Sequence, residues 1–158
     1  MYAFQLWLSN IGSFYVTGMM LACICLYLFY TGKQKDFDRI FFTTFIAMGT
    51  TFAIKYMTNV PRPLEALISE SDSRFPSGHA TIAAVVASLG VYYVHAYVKH
   101  ERVRKILYTL CALWFMLVSY SRLYLHVHVF VDVFVGGLIG VGASVFVWKL
   151  FKHLRFYK

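Results

Sequence analysis

The chain has 158 residues, of which 59% are hydrophobic and only 14% charged, with a formal net charge of +8. Soluble domains carry about 25% charged residues, so this composition excludes an ordinary soluble enzyme. Several apolar runs reach the length of about 18 residues or more that crosses a bilayer, which makes the chain an integral membrane protein.

Residues 1–12, MYAFQLWLSNIG, have no basic leader region and no small-residue cleavage site, so they do not read as a removable signal. They either extend the first span or lie in the membrane interface, where Trp7 would suit. Five spans are expected, at about 14–31, 40–57, 79–98, 106–122 and 128–149. The fold class is all-α, a polytopic membrane helical bundle in a single domain, 1–158, with no linker, repeat or low-complexity segment. Residues 64–73, LEALISESDS, are expected to form a short amphipathic helix in the interface. Their acids, Glu65, Glu70 and Asp72, read as solvated groups in preference to a means of repelling a second phosphate. Cys23, Cys25 and Cys111 lie inside apolar runs and read as buried thiols.

Basic residues fix the expected orientation. Lys33, Lys35 and Arg39 follow the first span, Lys99, Arg102, Arg104 and Lys105 the third, and Lys149, Lys152, Arg155 and Lys158 the fifth. These are eleven of the fifteen basic residues, all on one side. Basic loops stay in the cytoplasm, so the N-terminus is expected outside and the C-terminus inside. Topology thus accounts for the positive charge without a nucleic-acid partner. The other four, Lys55, Arg62, Arg74 and Arg122, collect at the opposite face. Basic groups near hydrocarbon are costly. One alone reads as a snorkelling anchor; four beside histidines read as an anion site.

Asp132 is the only acid inside an expected span, and His128 lies four residues before it on the same helix face. Such a pair can simply tie helices together. It can also fix one imidazole tautomer and leave the other nitrogen free as nucleophile or base. His126 is off that register and reads as secondary. Upstream, RFPSGH places Ser77, Gly78 and His79 in the first turn of the third span, where backbone N–H groups attract anions. Gly78 allows close approach to the backbone, Ser77 offers a hydroxyl, and His79 a proton for a leaving group. Pro61 and Pro63 are expected to end the second span and stiffen Arg62. The turn then forms half of an oxyanion cradle, completed by Lys55, Arg62 and Arg122.

These residues resemble the type 2 phosphatidic acid phosphatase family, whose superfamily also includes glucose-6-phosphatase and vanadium haloperoxidases. Lys55, Arg62 and Pro63 match its K-x6-R-P motif; Pro76, Ser77, Gly78 and His79 match P-S-G-H; Ser121, Arg122, His128 and Asp132 match S-R-x5-H-x3-D. The resemblance implies a helical bundle with its site near one membrane face. It implies that His128 attacks phosphorus to form a phosphohistidine, that Asp132 orients it, and that His79 protonates the leaving oxygen and then activates water. Lys55, Arg62, Ser77, Gly78 and Arg122 would hold the phosphoryl oxygens, with no metal and no cofactor. The usual members have six spans, so the five expected here put substrate fit and oligomerisation in question more than chemistry.

Gly136 and Gly140 form GxxxG in the fifth span, and Ala80, Ala84 and Ala87 a small-residue stripe in the third. Close packing of the two would bring His79 toward His128; a homodimer through GxxxG is the competing reading. The leading expectation is a lipid phosphatase on the periplasmic side of a bacterial inner membrane, with lipid A 1-phosphate as the narrow substrate and undecaprenyl pyrophosphate or phosphatidylglycerophosphate as alternatives. A lipid phosphotransferase, and a non-enzymatic transporter or channel subunit, are the other classes.

Overall fold

The computed structural model describes residues 1–68, 70 and 72–153, leaving aside the side chain of Phe14. Ser71 and the tail residues Arg155 and Lys158 lie outside the described residues. The described residues form six helices in order: α1 (Tyr2–Ile11), α2 (Phe14–Tyr30), α3 (Gln34–Thr58), α4 (Gly78–Tyr97), α5 (Glu101–Tyr124) and α6 (Phe130–His153). With α1 and α2 taken together as Tyr2–Tyr30, five segments among the described residues are long and apolar enough to cross a membrane. The fold is thus the expected all-α membrane bundle.

Residues 2–11 form α1, a helix of their own set off from α2 by a turn. The chain turns at Gly12 and restarts at Ser13, whose side chain accepts from Val16 N–H at 3.2 Å as the N-cap of α2. A Cβ on Gly12 would stand 2.8 Å from both Val118 methyl carbons, so only glycine lets α1 fold back on α5.

At one end of the bundle, Tyr93 of α4 donates to Asp36 of α3 at 3.2 Å, and the Arg39 guanidinium lies 4.3 Å over the Tyr92 ring. Lys35 and Arg39 belong to the first turns of α3, not to a loop. The helix termini at this end are the ones that carry the expected cytoplasmic basic residues.

α4 is the central helix. Ala80, Thr81, Ile82, Ala83, Ala84 and Val85 are all buried on it. An added Cβ on Gly136 would meet the Ser77 carbonyl oxygen at 2.5 Å, and one on Gly140 the Thr81 carbonyl oxygen at 2.5 Å and Ala84 Cβ at 2.7 Å. The GxxxG face of α6 is therefore consumed by α4 within the chain, which corrects the homodimer reading of that motif. Thr51 of α3 donates to Thr81 of α4 at 3.1 Å, adding a polar tie in the core. The apolar centre lies between α2, α3, α4 and α6, around Leu21, Met48, Ile82, Val85 and Ala143.

The segment between α3 and α4 corrects a second expectation. The described residues of 64–73 form turns and bends and no helix. Polar pairing holds the loop: Arg74 N–H donates to the Val60 carbonyl at 2.9 Å, Leu67 N–H to the Leu125 carbonyl at 3.0 Å, and Val60 N–H to Ser73 Oγ at 3.0 Å. Prolines at 61 and 63 and an acidic second half leave no apolar stripe long enough to drive a helix.

Candidate active site

Three helix ends meet opposite the basic end of the bundle. α3 stops at Thr58, with Asn59 in the left-handed conformation (φ 42°) and its N–H on the Lys55 carbonyl. Asparagine tolerates that conformation, and Pro61 two residues on prevents the helix from resuming. The last turn of α3 thereby presents Lys55.

Ser77 is the N-cap of α4, its Oγ accepting from Ala80 N–H at 3.4 Å. The hydroxyl is fully buried and retains its proton for a further acceptor. A Cβ on Gly78 would make only ordinary contacts, at 3.9 Å with Met48 Cε and 4.0 Å with Lys55 Cε. Packing therefore does not demand glycine there, and its bare side faces the Lys55 stem. His79 follows, partly buried, within the electrostatic field of Arg122, His128 and Arg62.

Asp132 occupies the third position of α6 and reaches back so that Oδ2 accepts from Val129 N–H at 2.9 Å, half of a capping box. The same oxygen lies 3.1 Å from Arg74 Nε and 3.5 Å from His128 Nδ1. The His128 contact stands just outside hydrogen-bond geometry, and Nδ1 has no hydrogen bond among the described residues. His128 itself lies in the turn before α6 and is buried. Burial, reinforced by Arg122, Arg62 and Lys55, holds its imidazole below the ordinary pKa, although Asp132 pulls the other way. A neutral imidazole is the form that can act as a nucleophile. His126, two residues earlier, is exposed, with its backbone at φ 55°.

Arg122 is completely buried in the last turn of α5. One terminal nitrogen donates to Ser9 Oγ and the other to Glu70 Oε1. Arg62 donates to the Val127 carbonyl at 3.0 Å and pairs with Glu70 at 2.6 Å and with Asp72. Lys55 pairs with Asp72 at 2.9 Å and donates to the Ser73 carbonyl. Glu70 and Asp72 are thus bound to the motif cations and are not simply solvated, which corrects the sequence expectation. Ser9 was not singled out from sequence at all, because nothing local marks a serine in α1 as a partner for an arginine more than a hundred positions away. Arg74 pairs with Asp132.

The structure therefore gathers Lys55, Arg62, Ser77, Gly78, His79, Arg122, His128 and Asp132 at one end of the bundle. Among the described residues, no three His, Cys, Asp or Glu side chains are grouped as metal ligands. A profile of the PAP2 superfamily matches residues 39–156, well over half of the chain. The chain belongs to the PAP2 superfamily. Its fold aligns with the crystal structure of the transmembrane PAP2-type phosphatidylglycerolphosphate phosphatase from Bacillus subtilis at TM-score 0.84, with 22% identity over 99% of this chain and 79% of that one. It aligns with the crystal structure of LpxE from Aquifex aeolicus at TM-score 0.71, with 25% identity over 94% of this chain and 85% of that one. No curated protein matches the sequence. The PAP2 fold shared with these membrane proteins agrees with the five apolar segments, and the protein is a multi-pass membrane member of this phosphatase family.

Proposed function

We propose that this PAP2 protein is a lipid phosphatase that removes phosphate from a lipid phosphate or pyrophosphate through a phosphohistidine, without a metal. The observation that carries this reading is the gathering of Lys55, Arg62 and Arg122, joined through Glu70 and Asp72, at the end of the bundle that holds the α4 N-terminus, His79 and His128. Nε2 of His128 attacks phosphorus while Asp132 holds the opposite side of the ring. The bond from phosphorus to the lipid oxygen breaks, and His79 protonates that oxygen as it leaves. His79 then takes a proton from water, whose oxygen attacks phosphorus, and the nitrogen–phosphorus bond breaks to release phosphate. Arg62 and Arg122 bind the equatorial oxygens, Lys55 adds charge, and Ser77 and the backbone near Gly78 complete the cradle.

An apolar cavity of about 870 Å³ between α4, α5 and α6, lined by Ala84, Phe115, Leu123, Phe130, Gly137 and Trp148 among others, supports a substrate with a hydrocarbon tail. The specific proposal is the 1-phosphate of lipid A at the periplasmic face of a bacterial inner membrane, with undecaprenyl pyrophosphate and phosphatidylglycerophosphate as alternatives. Transfer from His128 to a second lipid in place of water is a variant of the same chemistry. A transporter is disfavoured because the polar groups cluster at one end of the bundle. The test is phosphate release by the purified protein from a panel of these lipids, with and without an acceptor lipid. Release from one lipid well above the others identifies the substrate, and release from none overturns the reading.

A further inference from the structure

The two loop carboxylates sit where ligand anions would be expected. Glu70 bridges Arg122 and Arg62, and Asp72 bridges Arg62 and Lys55. Every cation of the cradle is engaged by one of them. Burial alone would raise the Asp72 carboxyl, but its bonds to Lys55 and Arg62 outweigh that and hold it below the ordinary value, so it is ionised at neutral pH. Two negative charges thus face three positive ones in a site where Arg122 is fully buried. Removing one partner of a buried pair strands a charge, which is costly unless another charge takes its place. A phosphate monoester carries about −1.5 to −2 at pH 7 and can replace both carboxylates. A phosphodiester, the form found in bulk bilayer lipids, carries a single negative charge and cannot.

We propose that Glu70 and Asp72 are internal counter-anions that occupy the phosphate subsites of the resting protein and set a charge threshold: a dianionic phosphate monoester or a pyrophosphate displaces them, and a monoanionic phosphodiester does not. This rests on the phosphate reading of the site and adds what the site rejects. It answers a problem particular to a membrane enzyme, whose opening faces phosphodiester headgroups in vast excess.

The test is calorimetric titration of the full-length, detergent-solubilised protein with inorganic phosphate and with dimethyl phosphate. Wild type is compared with Glu70→Gln, Asp72→Asn and the double variant, and with Glu65→Gln as an exposed control from the same loop. If the resting site is about nine-tenths occupied by the carboxylates, the double variant should bind inorganic phosphate roughly tenfold tighter. It should also acquire measurable binding of dimethyl phosphate, which wild type and Glu65→Gln lack. Each single variant should shift in the same direction, which keeps the question open to measurement if the double variant does not fold. Phosphate binding by the variants that is equal to or weaker than wild type overturns the inference and leaves the phosphate site standing, the carboxylates then merely holding the cations in place. Dimethyl phosphate binding by wild type likewise overturns the threshold alone. No phosphate binding by any of the proteins overturns the phosphate reading and the inference with it.

Discussion

The backbone N–H of Ser77 donates to the carbonyl oxygen of Asp132 at 3.0 Å. One bond therefore ties the cap of α4 to the first turn of α6, and with it the segment carrying His79 to the segment carrying His128. The approach depends on Gly136, whose missing Cβ would lie 2.5 Å from the Ser77 carbonyl oxygen. Gly136→Val should lower the melting temperature and abolish the proposed phosphatase activity, since overpacking a tight contact costs about 1–3 kcal/mol and here displaces the cap of α4 from the start of α6. Gly142, with nothing within 4 Å of its added Cβ, is the comparison. Gly142→Ala should be active and no less stable, given alanine's helix propensity advantage of about 1 kcal/mol. Thermal melts in detergent with parallel assays distinguish the pair, and an active Gly136→Val would refute this account of the glycine.

Asp132→Asn should fold, because the amide oxygen can still accept from Val129 N–H. It loses the charge that faces Arg74 and His128 Nδ1, so the imidazole tautomer that leaves Nε2 free is held less firmly and a developing positive charge on the ring is no longer offset. We expect kcat to fall by about a hundredfold or more. A near wild-type rate would remove Asp132 from the mechanism and leave it as a helix cap.

Arg62→Lys and Arg122→Lys should each be damaging. Guanidinium binds two oxygens in one plane, and ammonium acts as a point charge. Arg122 reaches Ser9 and Glu70 with two separate nitrogens of one planar group, and a lysine would have to serve both from a single nitrogen. Loss of a donor that matters most in the transition state should lower kcat roughly 10²-fold. Ser9→Ala should have a smaller effect of the same kind, because it frees the α1 side of Arg122 without removing charge. Changes confined to KM would mean that these groups bind substrate without aiding the chemical step.

Leu64, fully exposed in the α3–α4 loop, provides a topological probe. In a background without the native cysteines, Leu64→Cys should react with an impermeant thiol reagent in intact spheroplasts. Labelling only after permeabilisation would reverse the proposed orientation, with the site on the cytoplasmic side.

Lys55, Arg62, Arg122 and the α4 N-terminus supply positive charge of the kind a phosphatase often draws from a divalent cation, so activity should survive EDTA. Vanadate, which adopts five-coordinate geometry, should inhibit. Brief exposure to ³²P-labelled substrate followed by alkaline quench should leave base-stable, acid-labile label on the protein. His128→Ala should abolish that label, and His79→Ala should let it accumulate if leaving-group departure tolerates the change better than hydrolysis does. Restoration of chelated enzyme by Mg²⁺, or label persisting in His128→Ala, would refute the mechanism.

Sequence by itself determined the class of the fold and picked out the motif residues that the fold gathers at one end of the bundle. Apolar run length fixes membrane spans, because bilayer thickness admits few alternatives, and the spacing of Lys55–Arg62, Ser77–His79 and Arg122–His128–Asp132 is local enough to read along the chain. What sequence left open was settled by contacts between distant segments. Whether Gly136 and Gly140 face α4 or another copy depends on helix rotation, which small residues permit in either direction. The fate of residues 1–12 depended on Gly12 fitting against Val118, and the role of Ser9 on where that turn delivers it. Most of all, the loop acids could not be assigned from their own neighbourhood: Glu70 and Asp72 look solvated in sequence because charge is cheapest in water, and only the folded chain brings buried and half-buried cations close enough to hold them.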